Sequence, residues 1–164
     1  MVFGEGKGIE KEGRCGMKAY EGTQTSVAKS QEDIRWILRK YGADGVQFSE
    51  DWKEQKIFIR FLHTIGPRQY SLLFKVPIPK AEERTPSRGF RRSETKVQEM
   101  QEKIKRGIWR AVYWAIKSRM EAVEFGIETF EQAFLAHFEI SPGREIGEII
   151  IPRLASGDLR SIEQ

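Results

Sequence analysis

The feature that most restricts the fold is a pair of alternating apolar runs. In Lys56 to Leu62 the residues Ile57, Ile59 and Phe61 alternate with Phe58, Arg60 and Leu62, and in Gln69 to Val76 the residues Tyr70, Leu72, Phe74 and Val76 mark one face. A Gly-Pro turn separates the two runs, and Val46 to Ser49 reads as a shorter strand before them. Three short strands joined by tight turns make an antiparallel meander. Such a sheet cannot exclude enough water alone, so one face must lie under helices.

The helices are legible on either side. Ser30 followed by Asp33 reads as a capping pair, after which Ile34, Ile37, Leu38 and Tyr41 recur at helical spacing and Gly42 supplies a left-handed stop. From Glu94 to about Phe125 a long helical pattern buries Val97, Met100, Ile104, Ile108, Ala111, Val112, Ala115, Ala122 and Val123. Its early half is charged and expected to project. Its later half, widened by Trp109, Tyr113, Trp114, Ile116 and Met120, is expected to cross the core, with Gly107 as a bend and Trp114 packed inside. Thr129 and Gln132 cap a last helix running to about Phe138, and Ser141-Pro142-Gly143 turns the chain into the apolar Ile146 to Leu154 segment.

The expected fold is therefore α+β: a short helix, a three-stranded antiparallel meander, a long basic helix and a C-terminal helical hairpin. Residues 1–24 read as a flexible Gly-rich arm, 25–155 as one domain with a basic loop at 77–93, and 156–164 as a frayed tail. The Gly4, Gly6, Gly8 run lacks the flanking strand and helix that a phosphate loop needs. A length of 164 residues suits one domain with its own core, and 39% apolar with 32% charged residues excludes a collagenous or wholly disordered chain. No apolar run is long enough to span a membrane, so no membrane partner is expected. The opening residues lack a signal-peptide core and Cys15 has no second cysteine to pair with, which points to a reducing cytoplasm. Asn is absent while Lys, Arg and Glu abound, as in proteins of thermophiles.

The net charge of +4 conceals a strong asymmetry. Residues 1–79 carry 13 basic and 10 acidic side chains (+3), residues 80–120 carry 12 and 5 (+7), and residues 121–164 carry 3 and 9 (−6). A basic middle beside an acidic end suits a polyanion-binding face, or self-association between the two zones in a homo-oligomer.

Catalytic material is sparse. His63 and His137 stand 74 residues apart, with one cysteine in the arm, so neither a zinc cluster nor a Cys-His nucleophile is spaced correctly. Each histidine is expected at the surface or at an interface. Glu121, Glu124, Glu128 and Glu131 follow at spacings of three and four and could hold magnesium for phosphodiester chemistry, but Gly126 and Thr129 suggest that a helix ends between the pairs. No cofactor and no resident metal is expected.

Binding is better supplied. The non-periodic stretch from Pro77 to Ser93 holds Lys80, Arg84, Arg88, Arg91 and Arg92 around Phe90. Along the long helix Lys103, Arg106, Arg110 and Lys117 share one stripe, with Tyr113 and Trp114 between the last two. Cations neutralise phosphates, and aromatic faces stack unpaired bases at about 1 to 3 kcal/mol each. The residues therefore favour a non-catalytic nucleic-acid-binding protein, single-stranded DNA first and RNA second. The alternative is an interaction or assembly factor whose basic loop docks on an acidic surface; a metal-dependent nuclease comes third.

The segments IRWILRKYGADGVQF, RQYSLLFKVPIP, RTPSRGFRRS and WAIKSRMEAVEFGIETFEQAFLAHFEISPGREIGEII resemble a family of small bacteriophage and mobile-element proteins, from about Lys29 to Ile151. That family carries no settled activity. The resemblance implies a setting of phage or mobile-element DNA replication or recombination. The element order is similar to that of double-stranded-RNA-binding domains, but here the Gly-Pro element precedes the third strand rather than opening the first. A meander wrapped onto a long helix is also similar to phage single-strand annealing proteins, an analogy of architecture alone.

Overall fold

In the computed structural model, which describes Tyr20 and residues 22–82 and 89–158, the chain begins its regular structure at α1, Val27–Lys40. The cap is Ser26, whose side chain accepts from the Lys29 backbone N–H, and not the predicted Ser30, which lies fully buried one turn further in. Ile34, Ile37 and Leu38 form the inner stripe of α1. Gly42, at φ +82°, turns the chain directly into a strand, so β1 runs over Ala43–Asp51, longer than the apolar residues alone indicate.

Strands β2 (Lys56–Ile65) and β3 (Arg68–Pro77) complete an antiparallel sheet of order β1-β2-β3. The register sets Phe48 opposite Ile59 and Ile59 opposite Phe74, with Phe61 opposite Leu72. One face is thus continuously apolar. Ile57, Ile59, Phe61, Leu72 and Phe74 pack there with the inner stripes of α1 and of α2, Glu94–Glu124. Helix α2 contributes Ile108, Trp109, Val112, Ile116 and Met120, and Trp109 meets Phe48 edge-on at 5.3 Å.

Gly107 lies within an uninterrupted helix and allows a close approach: a β-carbon there would stand 3.2 Å from the Tyr20 carbonyl oxygen. Helix α2 ends in a Schellman turn, in which Gly126 (φ +69°) donates to the Val123 carbonyl and Ile127 to that of Ala122.

The first helix of the expected C-terminal helical hairpin stops short of the predicted Phe138. Thr129 and Gln132 do form a reciprocal capping box, but α3 covers only Phe130–Phe134 before a single 3₁₀ turn, Leu135–His137. Phe134 and Phe138 plug the sheet, and Phe138 bridges to Leu72 at its β3 edge. The chain then crosses to the opposite sheet face through a small hairpin, β4 (Glu139–Ser141) and β5 (Arg144–Glu145), into α4, Ile146–Ser156. On that face Arg60 holds Glu139 with two hydrogen bonds of 2.9 and 2.7 Å, Ser71 donates to the same carboxylate, and Lys75 pairs with Glu148. The architecture is α+β, as the sequence predicts. Among the described residues no helix is long and apolar enough to cross a membrane. Most of the predicted arm, Arg84 and Arg88 of the loop, and the tail beyond Asp158 lie outside the described residues.

Candidate nucleic-acid interface

Two helical stripes define the candidate surface. On α1, opposite the buried aliphatics, Lys29, Asp33, Trp36 and Lys40 recur at spacings of four, three and four. On α2 the corresponding outward stripe is Arg110, Tyr113, Trp114 and Lys117. The helices lie side by side and run in the same direction, because Asp33 pairs with Arg110 at 2.8 Å and Tyr41 donates its hydroxyl to Glu124 at 2.5 Å.

Aromatic rings and cations interleave along these stripes. The Arg110 guanidinium lies 4.2 Å from the Tyr113 ring centre and 5.5 Å from that of Trp114, and Lys117 Nζ lies 4.9 Å from Trp114. On α1, Lys40 Nζ stands 4.9 Å from the ring of Tyr41 and 6.0 Å from that of Trp36. Trp36 is 63% exposed and Trp114 40% exposed, so the expected packing of Trp114 inside the core does not occur; its position on the outward stripe keeps much of the ring in solvent.

The cations of this surface are partly neutralised. Asp33 accepts from both Lys29 and Arg110; its burial favours the neutral acid, but the two cations outweigh that and hold its carboxyl below the usual range. Lys117 pairs with Glu121 at 3.1 Å, a hydrogen bond that raises the lysine's pKa. Tyr41 is pushed up to about 12, chiefly by its hydrogen bond to Glu124. Along this face the positive charge therefore sits in a lattice of carboxylates.

The remaining predicted residues fall toward the N-terminal end of α2. Lys103 is exposed, whereas Arg106 is half-buried, and its Nε has no hydrogen-bond partner among the described residues. Lys80 is exposed beside Ala81, which is buried, and Gln101 of α2 clamps this strand exit by accepting from the Ala81 N–H and donating to the Pro79 carbonyl. Arg91 is exposed, Arg92 donates to the Glu82 carbonyl at 2.7 Å, and Phe90 is 70% exposed. The structure thus brings Arg110, Tyr113 and Lys117 into one patch and sets Lys80, Arg91, Arg92 and Lys103 around the other end of the same helix.

Trp36 and Lys40 were not among the predicted site residues. The signal was present: a tryptophan on the polar stripe of an amphipathic helix has no core to enter. The four glutamates do not form one ligand set, because the Schellman turn ends α2 after Glu124 and a new cap starts at Thr129. Among the described residues no group of three His, Cys, Asp or Glu side chains could hold a metal ion. The histidines serve packing rather than the surface: His63 stacks on Phe130 at 4.1 Å and His137 on Phe74 at 3.8 Å.

Comparison of the chain with protein-family models, with curated proteins and with solved structures gives no match.

Proposed function

We propose that this protein binds single-stranded nucleic acid, DNA in preference to RNA, without catalysing a reaction on it, and that it serves phage or mobile-element replication or recombination. The observation that carries the reading is that two of the three exposed tryptophans, Trp36 and Trp114, stand on adjacent helices with Lys40, Arg110 and Lys117 beside their rings, while the third, Trp52, lies apart in the β1–β2 turn. A single strand offers unstacked bases and a flexible phosphate chain, and this surface supplies flat platforms with cations between them. From Lys103 to Lys117 the outward stripe of α2 rises about 21 Å, which is room for a few nucleotides. The carboxylates paired with these cations act as exchangeable partners: a phosphate displaces Glu121 from Lys117, while Asp33 keeps Arg110 in place against the aromatic rings. A wholly unpaired basic face would bind any polyanion, so this arrangement favours stacking over simple charge.

Labelled single-stranded DNA, duplex DNA and RNA of equal length, titrated at a series of salt concentrations, test the reading. With about four to six phosphates neutralised, log affinity falls with log salt at about −0.7 per phosphate for a single strand. Single-stranded DNA binding tightest supports the proposal. Affinity indifferent to salt, or a duplex bound more tightly than the single strand, overturns it. Assembly with another protein is favoured by a different observation, the exposed Phe125 and Ile127 beside several carboxylates, on a different surface.

A further inference from the structure

The two ends of α2 carry opposite charge. Of the described residues, 80–82 and 89–106 hold seven basic and four acidic side chains, and 121–131 hold four glutamates and no basic residue. A helix rises 1.5 Å per residue, so on uninterrupted α2 the near edges of these zones, Arg106 and Glu121, stand about 22 Å apart, between two and three Debye lengths at physiological salt. They cannot neutralise one another within one molecule.

The acidic end also presents apolar surface. Phe125 is 79% exposed and Ile127 73% exposed, on either side of Gly126 in the turn that ends the helix. Glu121 and Glu124 are engaged by Lys117 and Tyr41, whereas Glu128 and Glu131 have no ion pair among the described residues. At the other end, exposed Lys80, Arg91 and Lys103 have no ion pair among the described residues either. Two large apolar side chains in a segment with four glutamates and no basic residue are costly to leave in water, and the carboxylates would repel the phosphates of a nucleic acid.

We propose that the Phe125–Ile127 corner docks on the basic N-terminal end of α2 in a second copy of this chain. The contact joins two different surfaces, so in a pair one copy keeps its basic end available and the other its acidic corner. Head-to-tail contacts of that sort close into rings or extend as filaments.

Sedimentation velocity of the protein without nucleic acid tests this. Wild type is expected to associate progressively with concentration at low salt, and to return to the 19.0 kDa monomer as salt screens the contact. A variant with Glu128→Gln and Glu131→Gln loses the acidic corner, and one with Lys80→Gln and Arg91→Gln loses the basic end. Each alone is expected to stay monomeric, while an equimolar mixture forms a dimer that grows no further, through the one intact surface on each. Phe125→Ser with Ile127→Ser, which keeps every charge, is expected to weaken wild-type association at least tenfold. A wild type that stays monomeric at low salt overturns the proposal, as does a mixture of the two charge variants that fails to dimerise while wild type associates. Circular dichroism of each variant establishes that it is folded.

Discussion

On α2, two tryptophans five residues apart meet opposite environments. Trp109 is fully buried, edge-on to Phe48, and its indole N–H has no hydrogen-bond partner among the described residues. Trp114 is 40% exposed and lies among Arg110, Lys117 and Tyr113. The inner stripe fills space beneath the sheet, and the outer one leaves a large ring partly in water. One helix therefore holds the fold together on one side and, on the proposed reading, offers a binding surface on the other.

The sharpest way to break this contrast is at the inner residue. Trp109→Ala leaves a cavity under the sheet and is expected to cost about 3 to 5 kcal/mol of stability, read by urea unfolding. A loss below about 1 kcal/mol would mean that the core does not depend on α2 as described.

The opposite sheet face contributes an effect that depends on pH. Hydrogen bonding from Arg60, helped by Ser71 and the Gly143 N–H, holds Glu139 down to about 2 although burial works against it. A depressed carboxylate stabilises above its unfolded pKa, near 4.5, and that stabilisation is lost as pH falls toward 2. The expected loss is about 2 to 3 kcal/mol, and Glu139→Gln should flatten the profile in that range. Glu145 and His137 add little between about pH 4.5 and 6.5. Burial raises Glu145 to about 7 and lowers His137 to about 4, so the folded pair carries one proton on the carboxyl and the unfolded pair carries one on the imidazole. Equal proton counts give no slope.

How much of this was legible follows from the range of each interaction. Alternation in Ile57, Ile59 and Phe61, and in Leu72, Phe74 and Val76, is local, and it correctly placed the sheet and its buried face. The extent of α2 was equally readable, because its cap at Ser93 and its Gly126 stop lie within a few residues of its ends. The choice between Ser26 and Ser30 was not, since both can cap and only packing of Ile34 against the sheet decides which one is buried. Partners 77 and 79 residues apart, Asp33 with Arg110 and Arg60 with Glu139, leave no local trace. For the candidate site, the α2 stripe was readable from spacing, but its neutralisation and the contribution of Trp36 appear only once α1 is laid beside it.

On the outer surface the expected effects reverse. Trp36→Ala with Trp114→Ala removes both platforms and should lower single-stranded DNA affinity at least tenfold, about 1.4 kcal/mol, in anisotropy titrations. Unfolding by urea should shift by less than about 1 kcal/mol, because neither ring is in the core. Smaller still is Lys117→Ala. Loss of its exposed pair with Glu121 should leave stability almost unchanged and reduce the salt slope of binding by about 0.7. A slope left unchanged would place the phosphates elsewhere.

The most direct test of the central claim is tryptophan fluorescence during titration with a short oligothymidylate. With Trp52, 81% exposed in the β1–β2 turn, replaced by Phe in both proteins, stacking on exposed Trp36 and Trp114 predicts saturable quenching in the otherwise wild-type chain that falls sharply when both are replaced by alanine, while buried Trp109 continues to report a folded core. Undiminished quenching in the double variant, or no quenching in wild type at concentrations where binding is seen by anisotropy, would contradict the assignment of this face as the nucleic-acid surface.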